Sequence, residues 1–462
     1  MSPNLCSYWG HITAHRGRKI MNTKLIRIAE LAKTNEKMKF TSLAHLLNEE
    51  ALKQCHYELM GNKATGIDGV TKAEYGENLD ENIKKLVNRL KKKSYRPLPV
   101  RRTYIDKPGS NKKRPLGIPA YEDKIVQRGI AKILNAIYEN DFLDSSFGFR
   151  PNRNCHDALK VLNVYIEKRY TNYIVDADIR SFFDKVDHKW LMVFLEHRIA
   201  DPRLLRLIAR FLKAGYMEEG KWLYTDKGTP QGGIISPILA NVYLHYVLDL
   251  WFEKVIRKQC QGQAYIVRYA DDFVCCFSYK KDADRFYQLL ENRFNKFNLE
   301  VAEEKTKVIA FGRFAKENCK RKGIKKPKTF DFLGFTHYCS ESKDGSFRVK
   351  RKTSRKKMQA KLNKSKEWLK ANRTKGTSFI MERMTRSLTG YYNYYCITDN
   401  VQAVNNYRYE LSKLLFKWLN RRSQKRSFTW KKFNLFLKRF PLPRPRTKVN
   451  IYELRSHISY IQ

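Results

Sequence analysis

Asp271 and Asp272 stand side by side in Tyr269-Ala270-Asp271-Asp272, between two apolar runs that read as strands over 265–268 and 273–277. Adjacent carboxylates on a tight turn repel each other. A hard divalent cation such as Mg²⁺, which takes oxygen ligands and keeps phosphate as a further one, relieves that repulsion. Ninety-three residues before Asp271, Asp176 and Asp178 end another strand-like run over 172–178. If the two strands are neighbours, Asp178 and Asp271 can jointly hold two metal ions about 3.5–4 Å apart, the separation used for in-line phosphoryl displacement. Taken alone, an Asp-Asp pair more often marks an ordinary hairpin turn.

The elements that must position these residues follow from periodicity. Helical spacing predicts helices over 21–37, 40–60, 79–93, 121–138, 188–197, 201–214, 237–254 and 281–297. Strands are expected over 101–106, 116–118 and 306–311, besides those already named. A turn-rich loop covers 61–69, and Lys107-Pro108-Gly109-Ser110-Asn111-Lys112-Lys113-Arg114 forms a basic hairpin turn. Residues 316–328 read as a basic linker. Beyond it the composition changes, and a domain boundary is expected near 345.

Charge narrows the partners. The 462 residues carry 92 Lys plus Arg against 46 Asp plus Glu, a formal net charge of +46. Residues 340–462 hold 31 basic and 7 acidic side chains, so about a quarter of the chain carries about half the net charge. With 42% hydrophobic and 13% aromatic residues, a disordered polycation is excluded. A folded protein that meets a polyanion remains, nucleic acid first. No run of about 18 apolar residues exists to span a bilayer. The nine cysteines form no Cys-x-x-Cys pair, which points to a reducing compartment without structural zinc. Met21 is favoured over Met1 as the start. A helix beginning near Thr353 places Lys357, Lys361 and Lys364 on one side, beside Arg351, Lys352, Arg355 and Lys356. The cluster Tyr391, Tyr392, Tyr394 and Tyr395 favours packing over base stacking.

The setting of the carboxylates resembles a reverse transcriptase. Ile174-Val175-Asp176-Ala177-Asp178 through Phe183 and Asp184 resembles the palm motif with the first metal-binding aspartate, and Tyr269 to Asp272 the second. Gly228-Thr229-Pro230-Gln231-Gly232-Gly233 resembles the loop beneath the incoming nucleotide, Glu304-Lys305 the following motif, and Phe332-Leu333-Gly334-Phe335 the primer grip. Asn62 to Gly69, Arg114 to Pro119, Ser146 to Arg153 and the basic tail around Gly390 to Tyr395 look like group II intron-encoded enzymes. The resemblance implies an α+β right-hand polymerase, with fingers and an antiparallel palm sheet over 37–345. A helical thumb or maturase domain would follow over 346–440, flanked by an extension over 1–36 and a short basic tail over 441–462. It implies Asp178, Asp271 and Asp272 as catalytic residues, and Asp178, Ile179, Asp271 and Asp272 as contacts to two Mg²⁺ ions. Asp176 stays outside that set. Lys107 and Arg114 would clasp the triphosphate of a dNTP, and Lys305 would sit near the leaving phosphate. Gln231, with Gly232, would approach the nucleotide. Phe183 would lie beneath its sugar and exclude a ribose 2′-hydroxyl, with Phe182 as the rival for that place. Many relatives carry a Cys- and His-containing endonuclease domain, and none is expected here.

The implied function is RNA-directed DNA synthesis together with binding of the intron RNA to assist splicing. The implied partners are intron RNA, an RNA template with DNA primer, and target DNA, without a membrane, in the bacterial cytoplasm, with an organelle as the alternative that Arg16, Arg18 and Lys19 hint at. Two alternatives stand beside it. One is a related reverse transcriptase recruited to another role such as phage defence. The other is an RNA-binding splicing factor without polymerase activity, against which the intact carboxylates and Gln231 argue. The oligomeric state is not written in the sequence.

Overall fold

The computed structural model describes residues 19–106, 113–218, 220–223, 226–229, 232–422, 424 and 428–455. In chain order its strands are β1 (Val100–Asp106), β2 (Lys113–Ile118), β3 (Tyr173–Asp178), β4 (Tyr216–Glu218), β5 (Lys221–Leu223), β6 (Ala264–Tyr269), β7 (Asp272–Phe277), β8 (Lys307–Ala310), β9 (Phe330–Phe332), β10 (Phe335–Glu341) and β11 (Phe347–Thr353). They form three sheets, ordered β2-β1-β4-β5, β6-β7-β3-β8 and β11-β10-β9.

The sheet β6-β7-β3-β8 is antiparallel throughout; β6, β7 and most of β3 are buried on both faces, which explains their nearly unbroken apolar runs, whereas the edge strand β8 is largely exposed. Side chains alternate between faces along a strand. Val175, Ala177, Ile266, Phe273, Cys275 and Phe277 therefore share one core with Phe286, Leu290 and Phe294 of the helix Lys280–Lys296. Ile174, Tyr265, Val267, Val274 and Cys276 share another with Leu159 and Leu162 of the helix Cys155–Lys168 and with Phe332 and Phe335. The same alternation decides where the acids go. Asp178 lies opposite Asp272, two steps along from the Ile174–Cys276 pair, so both carboxylates continue the second face beyond its apolar part.

Several elements differ from the sequence expectation. Residues 40–60 are not one helix. Asp201 Oδ2 takes the amides of Leu43 and Ala44 at 2.6 and 2.7 Å, and the helix Glu49–Glu58 starts only at Asn48, whose side chain caps Ala51. The helix Cys155–Lys168, with its Asn154–Asp157 capping box, and the strands β4, β5 and β9 to β11 were not anticipated. Part of the expected linker over 316–328 is the helix Ala315–Arg321. The helix expected over 237–254 is α-helical only over Ser236–Leu244, then π-helical over His245–Asp249 and Phe252–Ile256.

The boundary expected near 345 falls at Gly345, at φ +81° the tip of the β10–β11 hairpin, whose strands pair with each other across it, so the helical region begins only after β11. Helices Arg355–Asn372, Thr377–Tyr395, Val401–Leu419 and Trp430–Arg439 follow. They pack around Leu369, Met384, Leu388, Tyr391, Tyr407, Leu411, Leu415 and Phe433. The chain is thus mixed α and β with a helical C-terminal region. Residues 441–455 run back across it. The Pro443 carbonyl accepts from Tyr392 Oη at 3.0 Å, Val449 bridges Ile397, Ile451 is buried with the Cys155–Lys168 helix, and Arg455 pairs with Asp157 at 2.9 Å.

Candidate functional site

The β6–β7 hairpin closes through Ala270 and Asp271, and Ala270 takes φ +58°. A two-residue hairpin loop needs that sign, usually from glycine, so an alanine here must be held by its surroundings. Arg268 does the holding from within. Wholly buried, it donates Nε to Asp249 Oδ1 at 2.7 Å, Nη2 to Ser146 Oγ at 2.7 Å, and Nη1 to Asn241 Oδ1 at 3.1 Å and to the Ala270 carbonyl at 3.0 Å. Asn241 in turn donates to the Gly148 carbonyl at 2.8 Å. Gly148 lies so close that a Cβ there would stand 2.4 Å from the Ala270 nitrogen. The amide of Phe147 donates to the Arg268 carbonyl at 2.8 Å, fixing the Ser146-Phe147-Gly148 segment along the strand.

Around this turn the structure gathers acids. Burial raises the Asp271 carboxyl; its own backbone amide opposes that, Asp178 adds to it, and Arg114 and Lys305 pull it down. Asp272 is pushed well above the usual carboxylate range by burial and by Asp176, Asp271 and Asp178, while the Leu333 amide opposes. Asp176 is pushed up to about 7, by burial first and then Asp331. The Lys305 ammonium donates to Asp178. Among the described residues no three His, Cys, Asp or Glu side chains converge into a ready-made metal site. Ile179 buries its side chain and bridges Val301 through its backbone, so only its carbonyl could meet an ion.

The glycine-rich loop is docked by backbone contacts. Thr229 donates to the Phe183 carbonyl at 2.8 Å and Gly228 to that of Val186 at 2.7 Å. Gly228, at φ +88°, packs on the carbonyls of Phe183 and Asp184. Gly232 abuts Leu116 and the Gly117 carbonyl of β2, and Gln127 Oε1 accepts from Ile234 at 2.8 Å. Phe182 is core, whereas Phe183 is half-buried at its edge. Arg114 is exposed on β2 near enough to act on Asp271. Lys107 and Gln231 lie outside the described residues. On the far side, Tyr394 Oη donates to the Leu333 carbonyl at 2.8 Å, while Gly334 lies against Tyr395 and the stem of Lys357. The tyrosine cluster is packing, as its spacing suggests: Tyr391 stacks on Tyr407 with centroids 4.0 Å apart.

Sequence reasoning missed Arg268, Asp249, Asn241 and Gly148. One signal was available: a lone arginine inside an otherwise apolar, fully buried strand is rare unless paired.

The chain belongs to the reverse transcriptase (RNA-dependent DNA polymerase) family, whose pattern matches residues 105–337, half of the chain. Within it, the chain is similar to the group II intron-encoded protein LtrA of Lactococcus lactis subsp. cremoris, 42% identical over 231 residues, which cover 49% of this chain and 38% of that protein. It is also similar to protein YkfC of Escherichia coli K12, 33% identical over 280 residues, 54% of this chain and 73% of that one. Nuclear intron maturase 2, mitochondrial, of Arabidopsis thaliana is 27% identical over 179 residues, covering 30% and 24%. The resemblance to group II intron reverse transcriptases and maturases is thereby borne out. The chain matches well under half the length of the Lactococcus protein.

The buried and exposed ion pairs should differ sharply when broken. Arg268→Ala leaves Asp249 charged and unpartnered where neither side chain has any exposure, so a loss of about 3–5 kcal/mol is expected. Lys305 is 52% exposed and Asp178 28%, so Lys305→Ala should change stability by less than about 1 kcal/mol. Urea unfolding measures both, and equal shifts would overturn the ranking.

Proposed function

We propose that this chain is an RNA-directed DNA polymerase encoded by a group II intron. It also binds the intron RNA, assists its splicing, and supports intron mobility by reverse transcription, in the bacterial cytoplasm. The observation that carries this is the register that sets Asp178 opposite Asp272 with Asp271 on the adjoining turn, within the region shared with the reverse transcriptase family. In right-hand terms the β2-β1-β4-β5 sheet belongs to the fingers, β6-β7-β3-β8 to the palm, and the helices from Arg355 to a thumb or maturase domain. The match to a bacterial intron-encoded protein supports the intron and the compartment. Among the described residues no helix is long and apolar enough to cross a membrane.

Carboxylates crowded until burial and mutual repulsion raise them are a donor set that suits a small, hard, oxygen-seeking cation. Asp178 and Asp271 would hold two Mg²⁺ ions, with Asp272 in support and Ile179 offering its carbonyl. When bound, these ions stabilise charge on the attacking and leaving oxygens. The chain's own residues bind and orient. Arg114 and Lys107 clasp the triphosphate of the dNTP, and Lys305 meets the phosphates from the Asp178 side. The half-buried ring of Phe183 lies under the sugar, and Gln231 and Gly232 line the nucleotide. The exposed Arg355, Lys356 and Lys364, with the half-buried Lys357 and Lys361, neutralise phosphates of template–primer and intron RNA; the intron's target DNA is the remaining partner.

Asp178→Ala or Asp271→Ala should abolish Mg²⁺-dependent DNA synthesis on an RNA template while RNA binding persists. Primer extension by the purified variants tests this, and near-wild-type extension would remove the metal assignment. Phe183→Ala should raise incorporation of ribonucleotides relative to dNTPs; an unchanged ratio returns Phe183 to the core. The splicing half is tested by binding to the flanking intron RNA and to a scrambled RNA of equal length at near-physiological salt. Tighter binding of the intron is expected, and equal affinity would leave a polymerase alone.

A further inference from the structure

The helix Val401–Leu419 buries Tyr407, Leu411 and Leu415 with Leu369 of the helix Arg355–Asn372 and Leu388 of the helix Thr377–Tyr395. At 3.6 residues per turn its opposite side carries Gln402, Asn406, Tyr409, Lys413 and Phe416 in one row. The first four of these are exposed. The row is turned away from the helix whose first turn sets Lys357 against Gly334 at the cleft. Residues 401–439 hold 11 basic side chains and a single acid, Glu410, which pairs with Lys413 at 2.7 Å. Such a surface is complementary to a polyanion.

At the end of the row two aromatic rings are stacked. Trp430, the first residue of the helix Trp430–Arg439, lies on Phe416 with ring centres 4.0 Å apart and planes 11° from parallel. The residues just before it are pinned. Asn420 accepts from the Phe428 amide at 2.6 Å and donates to the Phe428 carbonyl at 3.0 Å, and Thr429 caps the helix by accepting from the Lys432 amide. With one indole face against Phe416, the 49% exposure of Trp430 falls mainly on its outer face. A ring held in this way loses little freedom when a base stacks on it. Tyr409 is 62% exposed, and the Lys413 ammonium stands 5.1 Å from its ring centre. From Tyr409 to Phe416 is about 10 Å along the helix axis, or roughly three nucleotides stacked at 3.4 Å.

We infer that the row from Gln402 to Trp430 is a second RNA site, separate from the polymerase cleft, which takes an unpaired loop of the intron. Trp430 and Tyr409 stack on two of its bases, and the exposed Lys417, Lys431 and Lys432 take phosphates. The Gln402 amide donates to Asn406 at 3.3 Å, and both side chains keep further polar atoms for base edges. A duplex suits this surface less, because its base faces are stacked inside and it offers an outside ring only sugar and phosphate. The inference rests on the reading of the chain as a binder of intron RNA.

The test uses the full chain with its cleft saturated by a DNA primer on an RNA template, and a short fluorescein-labelled oligoadenylate as the probe. Wild-type protein should still raise the anisotropy of the probe. Trp430→Ala and Tyr409→Ala should each weaken that binding about tenfold, and Trp430→Phe should retain part of it. A blunt RNA duplex of equal length should bind wild type and variants alike. No binding of the probe once the cleft is filled, an affinity unchanged in both alanine variants, or an equal loss on the duplex would overturn the inference. The reading beneath it fails separately, if wild-type protein binds the flanking intron RNA no more tightly than a scrambled RNA while the probe still depends on Trp430 and Tyr409.

Discussion

Arg268 sits with no solvent exposure between Asp249, Asn241, Ser146 and the Ala270 carbonyl, and the shape of the cleft depends on that one charge. The carboxylates at the strand ends repel, and the turn that presents Asp271 needs a backbone conformation that alanine disfavours. A buried guanidinium with its hydrogen bonds aimed at fixed acceptors answers both difficulties. Its fork geometry matches the Asp249 carboxylate, and its remaining N–H groups tie the turn to two other segments. Such a pair is poor evidence of net stabilisation, since desolvation offsets much of the Coulomb attraction. Its value here is positional: the segment at Ser146, the helical stretch carrying Asn241 and Asp249, and the turn at Ala270 are held in one registry because one side chain bonds to all of them.

A second constraint is the alternation of the central sheet. Ile174 and Cys276 bury on the face that, further along, presents Asp178 and Asp272. Hydrophobic burial therefore sets which way the acids point, because a slip of one residue would move the whole set to the other face. Beyond the acids, the Leu333 amide on Asp272 and the Tyr394 hydroxyl on the Leu333 carbonyl link the floor of the cleft to the helical region. The two ends of the chain's charge map thus meet at a few hydrogen bonds.

Much of this is legible in the sequence. The helix Tyr121–Tyr138 and the strands β3, β6 and β7 follow from period and β-branching, and the acid-bearing turn is visible between its strands. The pairing of β3 with β7 is not, because nothing local records a contact 94 residues away. The hairpin β10–β11 escapes for a different reason. Arg348, Lys350 and Lys352 alternate along it, and the buried positions between them include Arg351, so hydrophobic patterning is replaced by charge. The helix Cys155–Lys168 did carry a signal in Asn154 and Asp157. Phe182 and Phe183 could not be separated by type or spacing, only by the packing that takes the first into the core.

The π-helical turns at His245–Asp249 and Phe252–Ile256 have a consequence for how this chain can change length. Each π turn accommodates one residue more than an α-helical path would. A single deletion there could relax into ordinary helix without breaking it. The cost would appear elsewhere, because at 3.6 residues per turn the flanking residues would rotate by about 100° against one another. Asp249, at the end of the first π segment, would then swing out of reach of Arg268 while the helix itself stayed intact. Deletions in this stretch should therefore be selected against more strictly than substitutions.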